Sequence, residues 1–525
     1  MEYTKEPYRK SLGQRGIING TTYSLNHTPF AHYFGGVRYG LSSERWRRAR
    51  PLPPDFTYKD QDGSSCCDGQ SKVCPQRDFD GTFKESLWSE DCFQSNIWTP
   101  TGTPPAVGWP VIMFILDGGW LQAGTPNEFN PAALIGQAGL NAIVVMPAYR
   151  LGVFGFLYSA ELEAEAKSTD TTTGNLGFWD QRLALEWVHT NIHLFGGDSA
   201  NITLAGYSAG SYSVFHQLAY EFSLPDSHLI RRACMWSNGP GVQPKSPALA
   251  QHQFALLLAA LFIPESLPAA EKLTRLRSLP ARTLLEAALS IDMHQFRPTA
   301  ESVFIAPDRI QNLASFARTL VARRIPLLIG ECRDEPWLYA QWTAPKENTL
   351  AALRTRLLAE YPPHIVAGLV DIYFPGGTLP PQFVDWKQAF GAVYADMQVY
   401  RLERGLVKTI AECGGQELVF RYRVEYRLEC VDRFMPPEAG VTHATDEAIW
   451  FWGNGYQVRE EEGEAVERAF IGPFKNFVQG SVVEWGVGSV KSMRRLRADR
   501  GVDIWEDALW EDEDPVWMLV AGDGK

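Results

Sequence analysis

At 525 residues the chain is long enough for one large elaborated domain or two intimately packed ones, and it is read as a single domain over 1–525. A composition of 45% hydrophobic and 12% aromatic residues, with 17 Trp, excludes disorder. A net charge of -12, with no basic stripe beyond the short "RWRRAR" near Arg45, gives no electrostatic footprint for nucleic acid. Eight cysteines in so long a chain do not form a disulfide scaffold. The early group Cys66, Cys67, Cys74 and Cys92 has neither C-x-x-C spacing nor a neighbouring His, so no metal or other cofactor is expected.

The opening "MEYTKEPYRKSLGQRG" has no apolar core of the secretory type, which makes cytoplasm the expected compartment and secretion the alternative. Further on, "PVIMFIL" (110–116), "NAIVVMPAYR" (141–150) and "NITLAG" (201–206) are short apolar runs closed by Gly, Pro or charge. So are "RIPLLIG" (324–330) and "QELVFRYRV" (416–424). Four of these five read as strands buried on both faces. Between the second and third, Leu183, Leu185, Trp187, Val188 and Ile192 keep a helical spacing before Gly196 and Gly197 stop it. The longest apolar run, "FALLLAALFI" (254–263), is about half a bilayer span, so no transmembrane segment is expected. Strands alternating with helices predict a large, mostly parallel α/β sheet flanked by helices, with function at the carboxyl ends of its strands.

Within that pattern "NITLAGYSAGSYSVF" runs a strand into Gly206-Tyr207-Ser208-Ala209-Gly210 and then into a helix. A serine hydroxyl is a weak nucleophile until it is exposed, held and hydrogen-bonded to a base. Glycines at 206 and 210 remove the side chains where strand and helix pass closest, so Ser208 can sit on a strained turn with its Oγ projecting. The N–H of Ala209, at the helix start, is placed to donate to an oxyanion.

A serine nucleophile in this setting calls for an acid and then a histidine downstream. His364 opens an amphipathic pattern and suits a surface or capping role. His443, in the glycine-bounded "EAGVTHATDEAIWFWG", suits a base hanging into a pocket. For the acid, "IPLLIGECRDEPW" offers Glu331, Asp334 and Glu335, and spacing alone does not choose among them. A second oxyanion donor is expected from the turn after "VIMFIL", where Gly118 and Gly119 let the backbone bend.

Together these segments resemble the type B carboxylesterase and cholinesterase family. "FGGVRYGLSSERWRRARPLPP", "SEDCFQSNIWTP", "AYRLGVFGFL", "LLIGECRDE" and "THATDE" are similar to its signatures. "GNLGFWDQRLALEWVHTNIHLFGGDSANITLAGYSAG" is the most specific block. The resemblance implies an α/β-hydrolase fold with cap and gorge insertions, a small-molecule ester substrate, and Glu335 as the acid beside Ser208 and His443. It puts the oxyanion donors on Gly119, Trp120 and Ala209. It also implies structural ion pairs of Arg45 with Glu90 and Arg150 with Asp180, and a disulfide between Cys74 and Cys92. Cysteines for a second family disulfide are absent.

Two departures stand out. The family's H-G-G-G reads Asp117-Gly118-Gly119-Trp120, so the Trp120 indole is expected to shape the pocket. Tyr207 replaces the glutamate that precedes the family's serine, which makes Tyr207 an expected pocket residue and a neutral, hydrophobic or aromatic ester the expected substrate. Two other readings compete with ester hydrolysis. One is acyl transfer or cyclisation from the same acyl-enzyme, and the other is a non-catalytic binding protein on the same fold.

Overall fold

The computed structural model describes residues 3–58, 65–78, 81–116, 122–169, 171–240, 244–309, 312–342 and 344–522, with the side chains of 65 and 66 excepted. Its strands, in chain order, begin with β1 (Thr4–Ser11), β2 (Ile17–Leu25), β3 (Thr28–Arg38) and β4 (Gln94–Pro100). Next come β5 (Trp109–Ile115), β6 (Ile143–Pro147), β7 (Gly197–Tyr207) and β8 (Arg232–Trp236). The last four are β9 (Leu327–Cys332), β10 (Val419–Val424), β11 (Ser492–Leu496) and β12 (Val502–Glu506). With the two-residue strand Ser65–Cys66 beside β2, they form one sheet in the order β1-β2-β3-β4-β6-β5-β7-β8-β9-β10-β11-β12.

From β6 to β11 every neighbouring pair is parallel. The antiparallel pairs are β1 to β4, the join of β4 to β6, and β11 with β12. The five expected strands all lie in the parallel part, and β6 and β9 are buried along their whole length. Burial on both faces is what parallel strands covered by crossover helices require. The fold is therefore an α/β hydrolase, a large and mostly parallel sheet flanked by helices. Among the described residues no helix is long and apolar enough to cross a membrane.

The helix expected between the second and third runs spans Leu176–Asn191, continues as a 3-10 turn to Phe195, and ends at Gly196 with φ 87°. That positive φ is the left-handed C-terminal stop a glycine provides at no steric cost. Asp180 of this helix takes Nε and Nη2 of Arg150 at 2.8 and 2.7 Å, and Arg45 Nε lies 2.7 Å from Glu90. Both ion pairs implied by the resemblance are thus formed.

The disulfide is not. Cys74 and Cys92 are buried free thiols, and Leu151 N–H donates to Cys74 Sγ at 3.3 Å. A hydrogen bond to Cys74 and burial together push the Cys92 thiol well above its ordinary pKa, which keeps it protonated. The two sulfurs therefore fill core space as small apolar groups. Because no bridge among the described cysteines restrains the unfolded chain, the melting temperature is expected to be the same with and without reductant. A fall of several degrees on adding reductant would contradict the free thiols.

Candidate active site

Strand β7 ends at Tyr207 and the helix Ala209–Phe222 begins two residues later, with Ser208 alone at the corner. Ser208 has φ 53° and ψ -120°, a conformation that costs an L-residue about 1–3 kcal/mol and is kept only where the surroundings impose it. The imposition is visible. Ser208 N–H donates to the Trp236 carbonyl at 2.9 Å, and its own carbonyl accepts from Tyr212 N–H at 3.1 Å. A Cβ on Gly206 would lie 2.3 Å from the backbone of Gly210, and one on Gly210 would lie 2.1 Å from the Ile115 carbonyl oxygen. Both glycines are therefore obligatory for this corner. The serine itself is partly exposed, whereas Ala209 beside it is buried at the helix start.

Strand β5 leads into the segment expected to carry the second oxyanion donor. Ile115 pairs with Gly206, so β5 ends alongside the strand that carries Ser208. Asp117, Gly118, Gly119 and Trp120 themselves lie outside the described residues.

The three candidate acids after β9 separate by their partners. Glu331 is taken by Arg404, with contacts of 2.8 and 3.2 Å, and by Arg423. Asp334 accepts from Val441 N–H at 2.9 Å and returns its own N–H to the Val441 carbonyl at 2.8 Å. It thereby docks the histidine loop by its backbone. Glu335, with no exposed surface, places Oε2 2.6 Å from His443 Nδ1 and accepts from Cys332 N–H through Oε1 at 3.0 Å. Burial pushes the Glu335 carboxyl above its ordinary pKa, and the imidazole against it pulls it back down. His443 is buried in its loop, while His364 sits exposed on the helix Pro363–Tyr373, away from this arrangement.

One expectation needs correcting. Tyr207 lines no open pocket. It is 0% exposed, and its hydroxyl donates to Asp446 Oδ1 at 2.6 Å while accepting from Ala444 N–H at 2.7 Å. A tyrosine behind the corner is held by residues that follow the histidine, and an apolar strand end can bury its ring.

Several contributors were not singled out from the sequence. Tyr339 brings its hydroxyl to 3.1 Å from His443 Nδ1. The Tyr400 hydroxyl meets the Glu335 N–H at 3.1 Å and the Arg333 carbonyl at 2.7 Å. Asp446, three residues past His443, is also buried here. Its place in "THATDE" was the available signal, but nothing local marks Tyr339 or Tyr400.

The structure holds a cavity of about 820 Å³ whose lining includes none of Ser208, Glu335 and His443. Its wall includes Gln122 and Ala123, which follow the oxyanion segment, and Trp342, which follows the helix begun at Glu335. Leu285, Leu289 and Gln295 close another side. The Gln122 side chain donates to the Phe296 carbonyl at 3.2 Å, tying two of these walls together.

Comparison with known proteins gives a consistent result. The model of the carboxylesterase family matches residues 10–493. A carboxylic ester hydrolase of Gibberella moniliformis is 42% identical over 99% of this chain and 97% of its own length. An uncharacterized esterase/lipase of Schizosaccharomyces pombe is 33% identical over 98% of this chain and 97% of its own. Among solved structures, that of Aspergillus niger EstA aligns with a TM-score of 0.74 at 20% identity, covering 98% of this chain and 99% of that one.

Proposed function

Because the chain belongs to the carboxylesterase family and is a carboxylic ester hydrolase, we propose that it works through Ser208, His443 and Glu335. The observation that carries the proposal is the 2.6 Å contact of His443 Nδ1 with Glu335 Oε2 beside the strained Ser208 corner. With Nδ1–H held by the carboxylate, the lone pair of the imidazole sits on Nε2, where a base must have it. Ser208 Oγ attacks the ester carbonyl carbon and its proton passes to Nε2. The carbonyl oxygen, now negative, is stabilised by the N–H group of Ala209, with Gly119 and Trp120 the further donors that the family resemblance implies. When the C–O bond breaks, His443 returns the proton to the departing alkoxide, leaving an acyl-serine. Water repeats the sequence, giving its proton to His443 and releasing the acid and Ser208.

The substrate is a neutral ester with a hydrophobic or aromatic part. Tyr207, buried with its hydroxyl committed on both sides, offers no charge to a cationic substrate. The Tyr339 ring lies 5.0 Å from the imidazole and 5.0 Å from Tyr394.

The test is intact mass after exposure to a fluorophosphonate. One adduct per chain is expected on the wild type and none on Ser208→Ala. Absence of an adduct on folded wild-type protein would sink the assignment of Ser208.

A further inference from the structure

Behind the proposed triad lies a hydrogen-bond relay that joins the nucleophile corner to the histidine loop through one phenol. Tyr207 immediately precedes Ser208, and Ala444 immediately follows His443. The Tyr207 hydroxyl accepts from Ala444 N–H at 2.7 Å and donates to Asp446 Oδ1 at 2.6 Å. Its ring lies 5.2 Å from the imidazole.

Ala444 has φ 72°, a left-handed conformation that a residue with a Cβ rarely adopts unless held there. The hydroxyl of Tyr207 supplies the hold. Asp446 is itself fixed from the sheet, because its Oδ2 accepts from Tyr422 on β10 at 3.2 Å and from Ser237, just past β8, at 3.4 Å. Tyr207 and Asp446 are both 0% exposed, so water does not compete for these bonds. Burial, then the nearby Asp446, pushes the phenol well above its ordinary pKa, which keeps the donor proton in place.

We propose that Tyr207 is a positioning residue, whose hydroxyl sets the distance and orientation between Ser208 and His443 by clasping Ala444 and Asp446. The inference rests on the reading of Ser208, His443 and Glu335 given above. It goes beyond that reading by giving a fully buried side chain, with no access to substrate, control over turnover. A clasp of this kind acts on the chemical step and leaves substrate binding alone, since a small misplacement of reacting groups costs rate.

The experiment compares Tyr207→Phe, Tyr422→Phe and Ser208→Ala for kcat, KM and the rate of fluorophosphonate labelling on p-nitrophenyl esters. Phe at 207 keeps the ring and removes only the clasping oxygen. Its kcat and labelling rate are expected to fall about 10- to 100-fold while KM stays within about twofold. Tyr422→Phe removes a different hydroxyl from the same Asp446, and its loss of kcat is expected to be several-fold smaller. If Tyr207→Phe keeps the wild-type kcat, or if both phenylalanine variants lose kcat and melting temperature in equal measure, the proposal is overturned. Should Tyr207→Phe not fold, Asp446→Leu takes its place. Leucine keeps the approximate volume and removes the oxygen that receives the Tyr207 hydroxyl, so kcat should drop at unchanged KM, and an unaltered kcat overturns the clasp. Ser208→Ala keeping its esterase activity would instead remove the underlying reading of the site, an outcome separate from all of these.

Discussion

Glu335→Gln is expected to lower kcat by about 10⁴-fold with little change in KM. The size follows from how the carboxylate is used. Both oxygens accept, Oε1 from Cys332 N–H at 3.0 Å and Oε2 at the His443 Nδ1 contact of 2.6 Å. A glutamine has one acceptor for these two positions. If its oxygen faces Nδ1, its NH2 confronts the Cys332 N–H in a fully buried site. If its oxygen faces Cys332, its NH2 faces Nδ1, and the imidazole is satisfied only by holding its lone pair on Nδ1 and its proton on Nε2. That tautomer cannot take the Ser208 proton. Either way the imidazolium formed in the transition state loses its compensating charge in a desolvated setting. Ser208→Ala should go further, to a loss on the order of 10⁶-fold, because no nucleophile remains. Steady-state kinetics on a p-nitrophenyl ester, with circular dichroism to verify folding, checks both. A Glu335→Gln variant within tenfold of wild type would return the acid role to Asp334 or Glu331.

That last comparison also marks how far the sequence could be read. The corner at Ser208 was legible because its causes are local. The approach of Gly206 to Gly210 is written in five adjacent residues and the strand before them, while that of Gly210 to Ile115 comes from the neighbouring strand β5. Five of the parallel strands were legible for a related reason, since burial on both faces leaves a short unbroken apolar run, whereas β8 and β11, each opening or filled with polar residues, were not read. The choice of acid was not, because Glu331, Asp334 and Glu335 share one short stretch and differ only in distant partners. Arg404 and Arg423 occupy the first, Val441 the second and His443 the third.

The antiparallel margin was missed outright. Strand β1 is mostly exposed, with Lys5, Glu6, Pro7, Arg9 and Lys10 along it, so it carries no apolar run. Charges and a proline are what an edge strand uses against unwanted pairing. Tyr207 shows the opposite failure. Beside a nucleophile, a phenol looks like pocket lining, and only its two long-range bonds to Ala444 and Asp446 reveal that it faces inward. The cysteine pair failed because matching positions carry no information on whether the sulfurs are joined.

The second large effect concerns stability. Asp180→Ala is expected to destabilise the fold by about 3–5 kcal/mol. Asp180 is 0% exposed and Arg150 6%, so the pair is sealed between the helix Leu176–Asn191 and the segment leaving β6. The carboxylate receives Arg150 Nε at 2.8 Å, Nη2 at 2.7 Å and the Arg150 backbone N–H at 3.1 Å. Alanine removes the acceptors of all three bonds at once. Among the described residues the guanidinium then keeps one hydrogen bond, from Nη1 to the Arg47 carbonyl at 2.7 Å, and the Phe93 ring 5.3 Å away. What is then lost is chiefly the compensation of a buried cation, not the worth of the pair itself. The double replacement Arg150→Met with Asp180→Leu should for that reason recover most of the loss, because it removes the cation as well as its partner. Urea unfolding midpoints of the two variants and the wild type decide the matter. A cost of about 1 kcal/mol or less for Asp180→Ala would put the pair in the range of surface salt bridges and contradict its burial. Below its unfolding transition the Asp180→Ala variant should still take the fluorophosphonate on Ser208, since neither Arg150 nor Asp180 touches the corner or the histidine loop.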